Sequence, residues 1–178
     1  MRARNKKAFT LIETIVVVAL VAIVGVAVVS IMTPAGNLFG NMQKQAQAKM
    51  IASGVMQVIE PQARFGTNLK LVSAKSSDSN RYLYTSGGKV YVVKGETGNK
   101  SPVDMFGDDY YNGYTVALTC PRTEGDTVWI RVTVKRSGDE AITSTVETAI
   151  QNMNSPSGVT RSGDILCYQW LTKPSQSS

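Results

Sequence analysis

The residues with the most specific chemistry lie at the N-terminus, where a cluster of positive charge precedes a single acid. The first eight residues contain four cations and no acid, namely Arg2, Arg4, Lys6 and Lys7. Glu13 follows them and is the only charged residue within residues 9–32. A carboxylate in an apolar segment is costly, so it must find a cation or be held protonated. The segment has no cation of its own, and a partner for Glu13 is therefore expected from outside it.

The element that positions Glu13 is an apolar segment covering residues 9–32. As a helix it would be about 36 Å long at ~1.5 Å per residue, which exceeds the ~30 Å hydrocarbon core of a bilayer. The positive charge before it predicts that the N-terminus stays in the cytoplasm and that the rest of the chain is exported. A cleaved secretory signal and a plain signal anchor are the alternatives, although the apolar run is longer than a secretory signal requires.

The composition of the 178-residue chain excludes several kinds of site. It contains no His, so neither a Ser-His-Asp triad nor a His-ligated zinc site can be built from this chain alone. Beyond the first eight residues, 15 Lys and Arg face 13 Asp and Glu, a net charge of +2. DNA binding by basic residues such as Arg81, Lys89 and Lys94 is compatible with this balance, but no motif supports it. Nothing in the sequence argues for catalysis or for a cofactor.

The run KKAFTLIE, residues 6–13, resembles the cleavage site of type IV prepilins and pseudopilins. The resemblance implies that a prepilin peptidase cuts between Ala8 and Phe9 and that the new amino terminus at Phe9 is methylated. It further implies that Glu13 pairs with the amino terminus of a neighbouring subunit during filament assembly. The family usually has Gly where this chain has Ala8, and cutting is expected to survive this small change. The alternative for Glu13 is a solvated carboxylate at the level of the lipid headgroups.

Helical composition continues beyond the apolar segment. Pro34 and Gly36 predict a kink or a short break, after which the pattern resumes over residues 37–60 and is closed by Pro61. We expect a first apolar face, which would pack against other subunits, at Leu38, Phe39, Met42, Ala46 and Met50. We expect a second apolar face, which would pack on the globular part of the same chain, at Ile51, Val55, Val58 and Ile59. The alternative is a helix docked on its own domain throughout.

Residues 61–172 read as a β-rich head, because short alternating runs are separated by turn residues. Strands are predicted at 69–72, 81–85, 89–93, 114–119, 127–135, 142–150 and 165–171, with a hairpin turn at residues 86–88. The predicted fold class is therefore α+β, with a long N-terminal helix, its first half membrane-spanning, packed on an antiparallel β-sheet head. The predicted organisation is a leader at 1–8, an assembly helix at 9–33, a stalk helix at 34–60, the head at 61–172 and a flexible tail at 173–178.

Two further groups in the head could form sites. Cys120 and Cys167 lie near the ends of predicted strands, and an oxidising compartment would favour a disulfide between them. Many pilins bridge their C-terminal region in this way, and the resemblance thus adds to this expectation; the alternative is two buried thiols. Asp104, Asp108 and Asp109 form a weak calcium candidate, for which a solvated acidic loop is the alternative. Neighbouring tyrosines would form a contact patch or core, namely Tyr110, Tyr111 and Tyr114.

These observations favour a bacterial structural subunit of a type IV pilus-like filament, stored in the cytoplasmic membrane and then assembled into an extracellular or periplasmic filament. The implied partners are homologous pilin subunits, membrane lipid before assembly, the prepilin peptidase, and an inner assembly platform with its ATPase. A pseudopilin of a type II secretion or DNA-uptake machine is the first alternative. A signal-anchored extracytoplasmic binding protein is the alternative of another class, and it predicts an N-terminus that is never cut at Phe9.

Overall fold

The computed structural model describes residues 10–75, 81–93, 101–154 and 158–169. The chain forms two compact units that meet in sequence between Gln43 and Lys44. Two helices are described, α1 at Leu11–Phe65 and α2 at Asp108–Tyr111. The strands are β1 Thr67–Val72, β2 Arg81–Ser86, β3 Lys89–Val93, β4 Val103–Asp104, β5 Tyr114–Glu124, β6 Thr127–Arg136, β7 Asp139–Gln151, β8 Thr160–Arg161 and β9 Ile165–Gln169. The predicted α+β class is confirmed, because a long N-terminal helix precedes sheets that are almost wholly antiparallel.

Helix α1 is 55 residues long and is helical through Pro34 and Gly36, where a kink or a break is predicted. The helix has no break there, because proline removes a single backbone donor, and one missing hydrogen bond does not end a helix held by its other turns. The hydroxyl of Thr33, the residue before the proline, donates to the carbonyl of Val29 at 3.2 Å and adds a bond of its own at this point.

The C-terminal end of α1 also lies beyond its predicted end. The helix passes Pro61 and ends at Phe65, after which the backbone N–H of Gly66 donates to Gln62 at 3.0 Å. Ala63 in this added turn is fully buried, so burial in the head favours continuing the helix. The side-chain amide of Gln62 donates to the carbonyl of Val58 at 3.1 Å, which gives that carbonyl a further partner in the turn containing the proline.

The strands form two sheets. The larger has the order β4-β3-β2-β9-β1-β8, in which only the β1–β8 pair is parallel, and the smaller has the order β5-β6-β7. The predicted hairpin turn after Ser86 is confirmed between β2 and β3, where Gly87 and Gly88 both have positive φ. Strand β5 shifts register between Thr119 and Arg122, the stretch that contains Pro121. A bulge accommodates a proline in a strand because the proline has no N–H to give to the ladder.

The core of the second unit lies between α1 and the inward faces of the sheets. Four inward residues of β6 are fully buried, as their alternation predicts, namely Val128, Ile130, Val132 and Val134. Helix α1 contributes the predicted second apolar face, of which Ile51, Val55 and Ile59 are buried and Val58 is half-buried. The predicted first apolar face is exposed, at Leu38, Phe39, Met42, Ala46 and Met50. The structure thus separates the two faces and does not bury the helix throughout.

Candidate functional site

The candidate assembly site is the N-terminal part of α1, which contains Glu13 in its first turn. The helix begins at Leu11, and the backbone N–H of Glu13 donates to the carbonyl of Thr10 at 3.1 Å. The residues from Leu11 to Thr33 are exposed, and none of the most apolar stretch is buried in the protein. By length and composition α1 is the one helix, within the described ranges, that could cross a membrane. This surface requires either lipid or other apolar surfaces against it.

The polar side chains of this segment are almost all satisfied within the helix. The hydroxyls of Thr14, Ser30 and Thr33 each donate to the carbonyl four residues earlier, at 3.3, 2.8 and 3.2 Å. Such bonds let hydroxyls enter an apolar environment without an orphaned donor. Glu13 differs, because no described residue forms an ion pair or a side-chain hydrogen bond with its carboxylate. It is also the only charged residue from Ala8 to Gln43.

Ala8 and Phe9, the predicted cleavage and methylation positions, lie outside the described residues. Within the described residues, the site therefore consists of Glu13 and the apolar half of α1. The tail predicted at 173–178 and Lys94 also lie outside the described residues.

In the second unit, the hydroxyls of two tyrosines hold α1 against the head, and the hydroxyl of a third ties α2 to β3 and β4. Tyr114 donates to the carbonyl of Lys44 at 2.9 Å, and Tyr110 donates to the carbonyl of Ile51 at 3.3 Å. Tyr111 accepts from the backbone N–H of Val90 at 2.9 Å and donates to Asp104 at 3.0 Å. Burial raises the pKa of the Tyr111 hydroxyl well above its usual range, so it stays protonated and able to donate. Of the two interpretations of these tyrosines, contact patch or core, the structure therefore favours core packing.

Gly54 marks the place where α1 and Tyr110 approach most closely. A Cβ added at Gly54 would collide with the Tyr110 hydroxyl, whereas nothing lies within 4 Å of one added at Gly40. Glycine costs a helix up to about 1 kcal/mol relative to alanine, so each substitution would be stabilising if space allowed. Space is available at Gly40 and absent at Gly54.

We expect Gly54→Ala to lower the free energy of unfolding by about 1–3 kcal/mol, because overpacking outweighs the gain in helix propensity. The measurement is denaturant unfolding of the detergent-solubilised chain. Gly40→Ala is the matched control and should leave the free energy of unfolding unchanged or slightly raised. Tyr110→Phe removes the colliding oxygen, so adding it to Gly54→Ala should recover much of the loss. Equal effects of the two alanine substitutions would contradict the close approach at Gly54.

A buried amide closes the C-terminal end of α1. Asn152, which is 3% exposed, donates its side-chain amide to the carbonyls of Ala63 and Gly66 at 2.6 and 2.8 Å. The two residues after it also bind this end of the helix. The backbone N–H of Met153 donates to Arg64 at 2.8 Å, and the side chain of Asn154 donates to Phe65 at 2.7 Å. The segment after β7 thus supplies donors to carbonyls that would otherwise have no partner within the helix.

The three acids of the calcium candidate do not converge on one position. Asp104 and Asp108 both pair with the ammonium of Lys89, which lies 3.9 Å from Asp104. The hydrogen bond that Lys89 donates to the Asp108 carboxylate raises the pKa of Lys89, so the cation persists there. No group of three or more carboxylates or thiols in the described parts of the chain has a geometry that could hold a metal ion. The sequence alone does not identify Lys89 as the counterion of Asp104 and Asp108, because Lys89 lies on β3, outside the acidic loop.

The cysteines differ from the expected disulfide, and no bond joins Cys120 to Cys167 in the structure. Cys120 lies in the main core, as does Leu166. Cys167 lies in a second cluster with Tyr82 and Val93. Successive side chains of a strand point to opposite faces, so Cys167 points away from the core that its neighbour Leu166 enters. A disulfide needs Cβ atoms about 4 Å apart. Cys120 on β5 points into the main core, whereas Cys167 on β9 points to the other side of the larger sheet, so the two thiols remain unbonded in this structure.

We expect neither cysteine of the folded chain to react with iodoacetamide at pH 8, because both are buried and burial raises the pKa of the Cys120 thiol to about 12. After unfolding in guanidinium without a reductant, both should be alkylated. Mass spectrometry of the labelled chain measures both states. An unfolded chain that takes up label only after reduction would instead demonstrate a disulfide.

The basic residues named for DNA binding do not form an open positive surface in the described residues. Lys89 forms ion pairs with Asp104 and Asp108, and Arg81 also interacts with another group of the protein. Lys75 lies over the ring of Tyr84 at 3.9 Å. These contacts leave the nucleic-acid interpretation without added support.

Comparisons with known proteins address the N-terminal segment most directly. Residues 3–29 match the model of a family described as the prokaryotic N-terminal methylation motif. No curated protein matches the chain. Among solved structures, the chain is similar to a mutant of the PilB minor pilin from Streptococcus sanguinis, with 16% sequence identity and a TM-score of 0.48. The similarity covers 81% of this chain and 36% of that one, so the chain spans little more than a third of that pilin's length.

The family match includes three of the four basic residues before Ala8, the predicted cleavage position and Glu13, and it ends within the exposed apolar part of α1. It therefore covers the segment on which the sequence resemblance rests. Residues 3–29 carry a prokaryotic N-terminal methylation motif, and the resemblance of this N-terminus to the type IV pilin and pseudopilin family is confirmed.

Proposed function

We propose that this chain is a structural subunit of a type IV pilus-like filament, which is cut between Ala8 and Phe9 and assembles through the first half of α1. The observation that carries the proposal is the exposed apolar helix in which Glu13 is the only charged residue from Ala8 to Gln43. The methylation motif over residues 3–29 supports the same role.

In this proposal the exposed apolar half of α1 is covered first by the lipid bilayer and then, in the filament, by neighbouring subunits. Each Å² of apolar surface removed from water contributes roughly 25 cal/mol, so large side chains such as Leu11 and Ile31 cannot stay in contact with water. A bilayer covers them before assembly, and the equivalent helices of neighbouring subunits cover them in the filament. Lipid and homologous subunits are therefore the proposed partners of one and the same surface.

Glu13 sets the register between subunits in this proposal. Cutting before Phe9 creates an ammonium that is costly to bury, and Glu13 is a carboxylate that is costly to bury. When the two come from adjacent subunits, each offsets the desolvation of the other. A subunit that slips along its neighbour leaves both charges unpaired, so the pair favours one position over all others.

The remaining partners follow from the proposed life cycle. The cations before residue 9 keep the N-terminus on the cytoplasmic side, where the prepilin peptidase acts. Extraction from the membrane requires work, which an inner platform and its ATPase would supply. A pseudopilin of a secretion or DNA-uptake machine would share all of these steps and differ in not forming long surface fibres.

Mass spectrometry of the mature N-terminus tests the proposal. We expect a chain that begins at Phe9 and is heavier by one methyl group at its amino terminus. Ala8→Gly, which introduces the residue usual in the family, should be cut at the same bond, whereas Ala8→Leu should accumulate uncut because of its bulk. A mature chain that begins at Met1 would support the signal-anchored binding protein and reject the pilin-like role. Shearing of surface fibres from cells then separates a pilus subunit from a pseudopilin.

A further inference from the structure

Strand β7 presents the longest open sheet edge of the described structure. It is 13 residues long and lies at the end of the sheet β5-β6-β7. Within the described residues only β6 pairs with its backbone. Among the described residues, the other side of β7 therefore offers a row of N–H and C=O groups without a partner strand, which is a template for a further strand. The Glu140 carbonyl near its start accepts from the hydroxyl of Thr143 in the same strand.

The other edges of the described sheets are short or bonded. The six-stranded sheet ends in β4 and β8, which are two residues long each. The outer edge of β5 receives the β2–β3 hairpin, since the N–H of Val116 donates to Gly88 at 2.8 Å and the N–H of Leu118 donates to Thr85 at 3.3 Å. Short edges and covered edges are the usual protection against strand addition. Strand β7 is the exception.

The composition of β7 does not protect its edge either. It contains no Pro, Lys or Arg, the residues that most often block an edge. One register shift against β6 occurs near its start, between Lys135 and Arg136. From Thr143 to Gln151 the pairing is regular, which leaves nine consecutive residues of straight edge.

The inward face of β7 is self-complementary. Its side chains read apolar, hydroxyl, apolar, hydroxyl and apolar, at Ile142, Ser144, Val146, Thr148 and Ile150. An antiparallel copy centred on Val146 would place Ser144 opposite Thr148 within the straight edge. At the end of that edge, next to the register shift, it would place Ile142 opposite Ile150. Val146 itself, half-buried at the margin of the core, would face its own copy and lose its remaining contact with water.

The outward face accepts the same register without a charge conflict. Thr143 would lie opposite Ala149, and Thr145 opposite Glu147, whose carboxylate already pairs with Arg131 at 2.7 Å. Moving the centre by one residue to Glu147 would set two carboxylates face to face, which is destabilising. Moving it to Thr145 would set Ile142 opposite Thr148 and lose the match of apolar pairs. The register centred on Val146 is thus favoured on both faces.

We propose that the β7 edges of two copies of this chain pair antiparallel about Val146 and join their three-stranded sheets into one six-stranded sheet. A contact of this kind is two-fold and closed, so it cannot propagate along a helical filament. It links copies in pairs, either before assembly or between filaments. An edge-to-edge contact is small, so the pairing should be weak in dilute solution and should strengthen where copies are concentrated in a membrane.

Cysteine cross-linking of the full chain in detergent and in membranes tests this register. Under mild copper-phenanthroline oxidation we expect Val146→Cys to give a covalent dimer, because residue 146 meets itself. Thr143→Cys alone and Ala149→Cys alone should stay monomeric, and a mixture of the two should give a dimer, because these positions face each other. The native cysteines are buried and provide the unmodified chain as a background control.

Two results would overturn the proposal. One is the absence of a dimer both from Val146→Cys and from the mixture of Thr143→Cys with Ala149→Cys. The other is dimer formation by Thr143→Cys alone at the rate of Val146→Cys, which would indicate random collision. Because positions 143 and 149 are exposed, the mixture tests the register even if Val146→Cys folds poorly. Neither result depends on cleavage before Phe9, so the filament proposal stands or fails separately.

Discussion

Replacing Glu13 with Gln is expected to stop filament growth almost completely while leaving the chain cut, methylated and inserted in the membrane. Glutamine has nearly the same shape and stays polar, but it cannot neutralise the ammonium of a neighbouring Phe9. Removing one partner of a buried ion pair costs roughly 3–5 kcal/mol, because the other charge is left buried alone. At about 1.4 kcal/mol per factor of ten, the equilibrium between membrane-bound and assembled subunits should shift by about a hundredfold or more.

The measurement is the fraction of the mature chain in the sheared-filament pool relative to the membrane pool. Thr14→Val is the matched control, since it changes the adjacent residue in the same turn and leaves the carboxylate intact. Among the described residues, the Thr14 hydroxyl donates to the carbonyl of Thr10, just before the start of the same helix, at 3.3 Å, so its loss should have little effect. Mass spectrometry must show that the Glu13→Gln chain begins at Phe9. Filaments of normal yield and length from that chain would reject the pairing.

Glu13→Lys provides a second, graded test of the same idea. It places two like charges where the proposal has an ion pair, so its assembly defect should exceed that of Glu13→Gln. A defect that depended only on side-chain polarity would instead make the two variants equal. The order of the two defects therefore distinguishes a charge pair from a general disturbance of the apolar helix.

The sequence predicts the N-terminal site because the signal there is local. Glu13, the cations before it and the apolar run are consecutive, and their spacing is read directly from the chain. The faces of α1 and of β6 are also predicted well, since helices and strands repeat at fixed periods. The helix end at Phe65 is missed because Pro61 is a strong local stop signal, and burial of the last turn in the head overrides it.

Contacts between distant residues account for the parts that the sequence does not predict. Lys89 neutralises Asp108 across 19 positions, and Tyr110 reaches the carbonyl of Ile51 across 59. The cysteines also show that local patterns do not predict contacts between distant residues. Their positions near strand ends suggest a bridge, but the face on which Cys167 lies depends on the pairing of β9 with its neighbours. Pairing of strands that are far apart in sequence is not encoded in any local pattern.

Asn152 is the clearest case of a residue whose role only the fold discloses. It closes the end of α1 across 89 positions, and no motif surrounds it in the sequence. It is the one buried side chain in the described part of the head that carries an amide or a charge, and its environment satisfies its hydrogen-bonding groups. Its amide donates twice to helix carbonyls, and its oxygen accepts from the N–H of Asn154 at 2.9 Å. A side chain at this position therefore needs two hydrogen-bond donors for the helix carbonyls and one acceptor for the N–H of Asn154.

We expect Asn152→Ala to lower the free energy of unfolding of the head by about 2–4 kcal/mol, because two buried carbonyls lose their donors. Asn152→Asp should cost more at pH 7, roughly 3–5 kcal/mol, because it adds a buried carboxylate beside the negative end of a helix. Asn154→Ala is the matched control, since this half-buried residue gives one side-chain bond to the same helix end and should cost about 0.5–1.5 kcal/mol.

The pH dependence of Asn152→Asp separates a lost donor from a simple loss of packing. Burial raises the pKa of a carboxyl group in the folded state above its value in the unfolded chain. The folded state then binds the proton more tightly, so the variant is least destabilised at low pH and loses stability as the pH rises through the unfolded and then the folded pKa. The protonated acid can also donate one hydrogen bond to the Ala63 or Gly66 carbonyl.

Denaturant unfolding at pH 4 and pH 7 measures this effect. For Asn152→Asp, the deficit in the free energy of unfolding relative to the unmodified chain should be smaller at pH 4 than at pH 7. For Asn152→Ala, the deficit should be the same at both pH values. For Asn152→Asp, equal deficits at both pH values would mean that the carboxyl group introduced at position 152 is not buried against the helix end.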